Sequence, residues 1–189
     1  MNLGLLKYSE IINYPLTEIV ILLAESSKLN YGSIKLTDLV INSKIEDLKI
    51  SEYYSPQFFG KGIYIFFDGD IPVYVGKADN FLHRLSSHRI IDPRPNWGWN
   101  ALLNKICVTR LGIVDGHTVA DYNTALEIME KFQVIRILVD VEFSSNQLSK
   151  LERIIMKGIQ HDFGSLLNGK IGKVNDSFMF NNLSNFENS

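Results

Sequence analysis

Hydrophobic and polar residues alternate most clearly in the middle of the chain, where they predict a β-hairpin. Residues 62–67 and 71–75 are rich in β-branched and aromatic side chains, a composition typical of strands. Between them, residues 68–70 read Asp-Gly-Asp, and the glycine suits the positive φ angle of a tight turn. We therefore expect two antiparallel strands joined by a three-residue loop.

The length of this loop predicts which residues pair across the hairpin. A three-residue loop pairs Phe67 with Ile71 and places Tyr64 close to Tyr74 in the other strand. Because side chains alternate along a strand, both tyrosines are expected on the same face of the sheet. A bulge, or the proline at position 72, would shift this register by one residue.

A short helix is predicted directly after the hairpin. Asp79 or Asn80 is suited to cap its first turn. Arg84 and His88 lie four positions apart, so they are neighbours on the helix surface, at the border of its apolar arc. That arc consists of Phe81, Leu82 and Leu85.

A second pair of elements is predicted later in the chain. Residues 133–143 form a nearly continuous apolar run, typical of a strand at the centre of a sheet that is covered on both faces. Ser144 or Ser145 is suited to cap a helix over residues 146–163, and Gly164 is suited to end it.

Glu152 has an unusual place on this later helix. At about 100° per residue it falls between Ile159 and Phe163, on the edge of the apolar face. A carboxylate there costs free energy unless a cation, a hydrogen-bond donor or a metal ion compensates its charge. Position alone leaves two interpretations, a metal ligand and a buried salt bridge, for instance with Arg84.

These patterns divide the chain into three parts. Residues 1–56 are predicted to be a helical N-terminal extension that packs on the core. Residues 57–173 are the main domain, in which residues 91–132 end in a helix over 120–132. Residues 174–189 are a polar tail, read as a surface strand or as disordered.

Composition and charge narrow the class of protein. The chain of 189 residues can bury the core of one α/β domain, and no apolar run approaches the roughly 20 residues of a membrane span. The single cysteine, Cys107, cannot form an internal disulfide and rules out a cysteine-based zinc cluster. We therefore expect a cytoplasmic protein without a membrane partner.

The net charge of −2 argues against a general coat for nucleic acid, but the charges are unevenly distributed. Lys and Arg outnumber Asp and Glu over residues 77–110 and 147–173, whereas acidic residues dominate 111–146. Positive charge therefore collects near the hairpin and the later helix, which favours a local phosphate-binding surface. Ordinary solvated helix faces are the alternative.

The hairpin and the helix after it resemble the GIY-YIG nuclease family. Residues 62–64, Gly-Ile-Tyr, match the first half of the motif that names the family, and residues 74–76, Tyr-Val-Gly, match the second. Arg84 and His88 fall where the helix of the family carries its arginine and histidine. The family also has a glutamate on a later helix and an asparagine beyond it, which Glu152 and Asn168 match. The resemblance covers roughly residues 61–170 and makes residues 91–132 an insertion relative to the family core. Besides packing on that core, the extension over 1–56 would contact DNA or mediate dimerisation.

The resemblance implies a fold, an activity and a cofactor. The fold is α+β, with a small, mainly antiparallel central sheet flanked by helices. The activity is hydrolysis of phosphodiester bonds in DNA by a metal-dependent endonuclease, with one Mg²⁺, replaceable by Mn²⁺, bound by Glu152. A homodimer is one way for such an enzyme to cut both strands of a duplex, and sequential nicking is the other.

The resemblance also implies roles for the site residues. Arg84 is expected to grip the scissile phosphate through charge-assisted hydrogen bonds. Tyr64 is expected to act as the general base or to position the attacking water. A phenol with a reference pKa of about 10 needs nearby cations for the first of these roles, and Lys77 and Arg84 are available.

Five residues are assigned supporting roles. Tyr74 and His88 relay protons or hold phosphate, and Asn168 braces the site. Gly76 and Lys77 contact the substrate, since a residue without Cβ lets another group approach the backbone closely. Two alternatives from other classes stay open: a nucleic-acid-binding module that keeps the fold without cleaving, and an α/β interaction protein in which Glu152 forms a structural ion pair.

Overall fold

A computed structural model describes residues 5–11, 13–15, 18, 34–35, 60–91, 101–140, 142–164 and 166–168. In these residues the fold is of the α+β class, built on one mixed sheet. The strands are β1 (Leu5–Lys7), β2 (Ile34–Lys35), β3 (Gly62–Asp68), β4 (Ile71–Ala78) and β5 (Gln133–Leu138). The α-helices are α1 (Tyr8–Ile11), α2 (Phe81–Ser87), α3 (Ala101–Ile106), α4 (Val119–Met129) and α5 (Ser145–Phe163), and α3 continues as a π-helical segment, Cys107–Leu111.

The sheet has the spatial order β1-β5-β3-β4, and β2 also pairs with β5. Only the β1–β5 pairing is parallel among the described strands, and the other pairings are antiparallel. The central position predicted for the strand that begins at residue 133 is confirmed. This strand is shorter than predicted, because beyond Val139 the chain turns, with the Phe143 N–H donating to the Asp140 carbonyl.

The hairpin of β3 and β4 is confirmed, but its predicted pairing is wrong. The turn has two residues, 69–70, so Asp68 pairs with Ile71 and Phe67 pairs with Pro72. A bulge then shifts the register by one more residue, so that Phe66 pairs with Tyr74. The shorter turn and the bulge together shift the register by two residues. Because side chains alternate between the two faces of a sheet, a shift of two leaves each side chain beyond the bulge on the face that the sequence predicts.

Each face of the sheet is covered by helices that bury an apolar core. On one face, α5 packs against side chains of β3 and β5 such as Ile63, Ile65 and Ile137. On the other face, α2, α3 and α4 pack against Tyr64, Phe66 and their neighbours. Burial of these fully enclosed apolar side chains, at roughly 1.5–3 kcal/mol each relative to exposure, is the main force that holds the layers together.

The helix boundaries follow from local capping. The Asn80 side chain accepts a hydrogen bond from the His83 N–H at the start of α2, as the sequence predicts. Ser144 and Gln147 form a reciprocal capping box at the start of α5. Thr118 and Asp121 do the same for α4, which confirms a helix in the second half of the predicted insertion.

The segments at the two ends of the chain are described only in part. Residues 5–7 and 34–35 form strands that join the main sheet, which the prediction of a helical extension over 1–56 did not include. Most of that extension, and the tail over 174–189, lie outside the described residues. Within the described part of the chain, no helix combines the length and the apolar character that crossing a membrane requires.

Candidate functional site

The two halves of the hairpin bring Tyr64 and Tyr74 together on the face covered by α2. Their ring centroids lie 6.1 Å apart, which confirms the prediction that both project from the same side of the sheet. Tyr64 pairs with Gly76 in the neighbouring strand. A Cβ atom on residue 76 would lie 2.2 Å from Oη of Tyr64, so only glycine leaves room for the phenol ring.

Helix α2 adds His88 to this pair. His88 is the C-terminal capping residue of α2 and is buried, with an exposed fraction of 4%. Its Nε2 atom lies 2.6 Å from Oη of Tyr64. Burial, and to a smaller extent the positive charge of Arg84, lower the pKa of His88 to about 3, so the imidazole is neutral near pH 7.

Arg84 supplies the positive charge of the site. It lies in the last turn of α2, half-buried beside the two phenols. Burial raises the pKa of Tyr64 and of Tyr74, and the guanidinium of Arg84 opposes that shift in both. Both tyrosines are therefore protonated at neutral pH. In the protein without substrate or metal, the cations near Tyr64 do not convert its phenol to a phenolate.

Glu152 reaches the same edge of the sheet from α5, on the other side. Burial raises the pKa of its carboxyl group, while Lys77, including its backbone N–H, and Arg84 oppose this rise. Among the residues that the structure describes, no ion pair within 4.0 Å joins Glu152 to Arg84. The carboxylate is therefore near the cations of the site without being neutralised by direct contact with either of them.

Lys77 does not point its ammonium group at the carboxylate. Its Nζ atom lies 2.5 Å from Oγ of Ser149, one helical turn before Glu152. The Ser149 hydroxyl donates its own proton to the Ser145 carbonyl, at 2.8 Å. Ser149 thus fixes an exposed ammonium group at the rim of the site. Sequence reasoning missed this serine, because nothing local to α5 indicates which strand residue will reach it.

Asn168 holds the exposed edge of β4 next to the site. Its Oδ1 accepts from the Val75 N–H at 2.9 Å and its Nδ2 donates to the Val75 carbonyl at 2.6 Å. The Leu167 N–H donates to the Val73 carbonyl as well. The side chain of Asn168 therefore acts as a substitute strand partner, adjacent to Tyr74 and Gly76.

A second residue that sequence reasoning missed is Arg136 in β5. It is paired with Tyr64, so the two side chains share one face of the sheet. Its exposed fraction is 1%, and burial lowers its pKa to about 10. The signal was a charged residue inside the apolar run of residues 133–139, a pattern that a fully buried strand rarely contains.

The structure thus gathers every predicted site residue at one edge of the sheet, where β4 meets α2 and α5. The groups present are hydroxyls, a neutral imidazole, a guanidinium, an ammonium and a carboxylate. In the described part of the chain, no group of three or more His, Cys, Asp or Glu side chains is placed to bind a metal ion. In comparisons with family models, curated proteins and solved structures, nothing matches this chain.

Proposed function

We propose that this chain is a cytoplasmic, metal-dependent DNA endonuclease of the GIY-YIG type, which hydrolyses phosphodiester bonds. One observation carries the proposal. Two hydroxyl groups, a guanidinium and a half-buried carboxylate converge on one edge of the sheet, from elements far apart in sequence. A phosphodiester needs this combination, because an anion must be bound, a water oriented and a cation held nearby.

Glu152 is the residue that would hold a metal ion. Its carboxyl group carries a pKa raised by burial, so a divalent cation would relieve a cost that the cations of the protein leave partly uncompensated. One carboxylate suits Mg²⁺, or Mn²⁺ in its place, since Mg²⁺ retains several waters and takes further ligands from substrate phosphate. When bound, the ion supplies charge for the phosphoryl oxygens and lowers the pKa of a coordinated water.

Arg84 is the residue that would bind the scissile phosphate. Its guanidinium lies close enough to the two phenols and to Glu152 for each of them to raise its pKa. A guanidinium donates two parallel hydrogen bonds to a phosphate and fixes its orientation as well as its charge. Tyr74, half-buried beside it, offers a hydroxyl to the same phosphate.

Tyr64 and His88 would orient the attacking water. In hydrolysis, the water oxygen bonds to phosphorus while the bond to the leaving sugar oxygen breaks. With the Tyr64 hydroxyl donating to Nε2 of His88, Oη keeps a lone pair that accepts a hydrogen bond from the water. Because the pKa of His88 is about 3, its imidazole fixes this hydroxyl and does not retain the proton of the water, which passes to solvent. The leaving oxygen is protonated from solvent.

Cleavage of supercoiled plasmid tests the proposal. Wild type, Arg84→Ala and Glu152→Ala are compared in Mg²⁺, in Mn²⁺ and in EDTA, with circular dichroism to show that each protein is folded. We expect nicked or linear product that needs the metal and that both substitutions reduce by at least a hundredfold. Glu127→Ala, which removes an exposed carboxylate on α4, is the matched control and is expected to cut as wild type does.

The form of the product tests how two strands are cut. Linear product that appears without a nicked intermediate requires two sites acting together, as in a homodimer, whereas accumulation of nicked circles indicates sequential action by one chain. If wild type cuts neither plasmid, branched DNA nor RNA in any metal, the nuclease proposal is wrong. Binding of DNA without cleavage would then favour a nucleic-acid-binding module.

A further inference from the structure

Three cations continue the site along α5. Ser149, Arg153 and Lys157 follow one another at intervals of four residues, so they lie in one row on the surface of the helix. Lys77 of β4 adds a third cation at the start of this row, because its ammonium group is hydrogen-bonded to Oγ of Ser149. We call Lys77, Arg153 and Lys157 the basic strip.

The basic strip begins directly beside the site. Glu152 and Ser149 are three residues apart on α5 and therefore neighbours on its surface. Arg153 is close enough to Glu152 to influence the pKa of its carboxyl group. The row from 149 to 157 spans eight residues, or about 12 Å along the helix. At about 3.4 Å of duplex axis per phosphate, that length covers roughly three phosphates of one strand.

The cations of the strip differ from other cations of the protein in their ionic partners. Arg89 pairs with Glu130, and Arg110 pairs with Asp68. Within the part of the chain that the structure describes, none of the three cations of the basic strip forms an ion pair with a carboxylate. Their charge is therefore available to an anion from outside.

Helix α4, which packs on the other face of the sheet, offers no comparable row of cations. It carries Asp121 and Glu127, and no Lys or Arg lies between Val119 and Met129. A polyanion is therefore attracted to α5 more strongly than to α4.

We infer that a DNA duplex lies along α5, with the phosphates next to the scissile bond bound by Lys77, Arg153 and Lys157. This inference rests on the proposed function, since it takes the bond to be cut at Arg84 and Glu152. It adds a path for the substrate along α5. One edge of this helix, at Glu152, would hold the metal ion, and the row of residues 149, 153 and 157 would contact the phosphate backbone of the DNA. Contacts of this kind bind phosphate and do not read sequence.

The test is binding of a 30-base-pair duplex in EDTA, measured by fluorescence anisotropy over a range of salt concentrations. The proteins are full-length wild type, Arg153→Gln, Lys157→Gln and the double variant. Each lost phosphate contact is expected to reduce the slope of log K against log salt by about 1, so the double variant falls by about 2. Affinity of the double variant at low salt is expected to drop on the order of tenfold or more.

Lys131→Gln is the matched control. Lys131 is exposed and follows α4, near Gln133, which pairs with Phe67 beside the hairpin turn, far along the sheet from Gly76. Its removal changes the net charge equally and is expected to leave the slope unchanged. Equal slopes for all variants, or a drop in slope for Lys131→Gln as large as that for Arg153→Gln, would show that the basic strip does not bind the phosphates. So would a wild type that does not bind duplex DNA.

The binding and cleavage results separate the two proposals. If wild type cuts plasmid while the slopes of all variants stay equal, the nuclease stands and the basic strip is wrong. If the slopes fall as expected while wild type cuts no substrate, the DNA path stands and the endonuclease proposal fails.

Discussion

Gly76 lies against the ring of Tyr64, so closely that a Cβ atom at position 76 would be 2.2 Å from both Cζ and Oη of the phenol. The two residues pair across the hairpin, and the missing side chain of one is the space that the other fills. Tyr64 is fully buried there, with its hydroxyl turned to His88. The position of the central hydroxyl of the site therefore depends on a glycine in the neighbouring strand.

Replacing Gly76 with alanine is expected to displace Tyr64 and to lower both stability and activity. An overpacked core position typically costs about 1–3 kcal/mol of unfolding free energy, which urea denaturation measures. The control is a double-mutant cycle with Tyr64→Ala. If the clash with the phenol is the cause, Gly76→Ala costs far less once the ring is absent. An equal cost in both backgrounds would contradict the steric explanation.

His88 is expected to make the protein less stable in mild acid. Its pKa is about 3 in the folded state and about 6.5 when unfolded, so between these values the unfolded state binds the extra proton. Stability from this residue is complete above pH 6.5 and falls as pH decreases towards 3. Between pH 7 and pH 4.5 we expect a loss of about 2–3 kcal/mol.

Urea denaturation at the two pH values tests this expectation. His88→Gln is expected to show a smaller loss between pH 7 and pH 4.5 than wild type does. His83→Gln removes an exposed histidine of the same helix and is expected to retain the full pH dependence. A pH dependence that is unchanged in His88→Gln would show that the buried imidazole is not its source.

Removing Glu152 is expected to cost little stability. Burial raises the pKa of its carboxyl group, and no ion pair with Arg84 is present among the described residues. Glu152→Ala should therefore be nearly neutral or stabilising at pH 7, whereas breaking a buried ion pair costs about 3–5 kcal/mol. A loss of that larger size in thermal denaturation would favour the structural ion pair of the interaction-protein alternative.

Magnesium is expected to stabilise the wild type through Glu152. A ligand that binds only the folded state raises the melting temperature as its concentration rises. We expect this rise with millimolar Mg²⁺ for wild type and for Glu127→Ala, and its loss in Glu152→Gln, which keeps the size of the side chain. A rise of equal size in Glu152→Gln would place the metal elsewhere.

Asn168 is expected to stabilise β4 through its two hydrogen bonds to Val75. Asn168→Ala leaves both backbone groups of Val75 without this partner, at a cost of about 1–3 kcal/mol. Hydrogen exchange should show faster exchange of the Val75 amide than in wild type. Asn123→Ala, at an exposed position of α4, is the control and should change neither quantity. Unchanged protection of Val75 in Asn168→Ala would show that the side chain does not hold the strand.

Local sequence patterns were sufficient for the elements that carry the candidate site. The two strands of the hairpin, the cap of α2 at Asn80, the central strand from residue 133 and the cap of α5 at Ser144 were all predicted. Each depends on residues within a few positions of one another, where backbone preference and capping act directly. The strands β1 and β2 were missed, because they are only three and two residues long and gain their stability from pairing with β5.

The sequence by itself determined which chemical groups the chain offers and which elements carry them: the phenols on β3 and β4, the guanidinium on α2, the carboxylate on the apolar edge of α5. The tertiary structure alone decided how these groups meet. The bulge set the register that places Gly76 beneath Tyr64, burial set the charge of His88, and Asn168 reached a strand 93 residues earlier in the chain. Such contacts depend on packing between distant segments, and no local pattern encodes the distance or the solvent exclusion that gives them their effect.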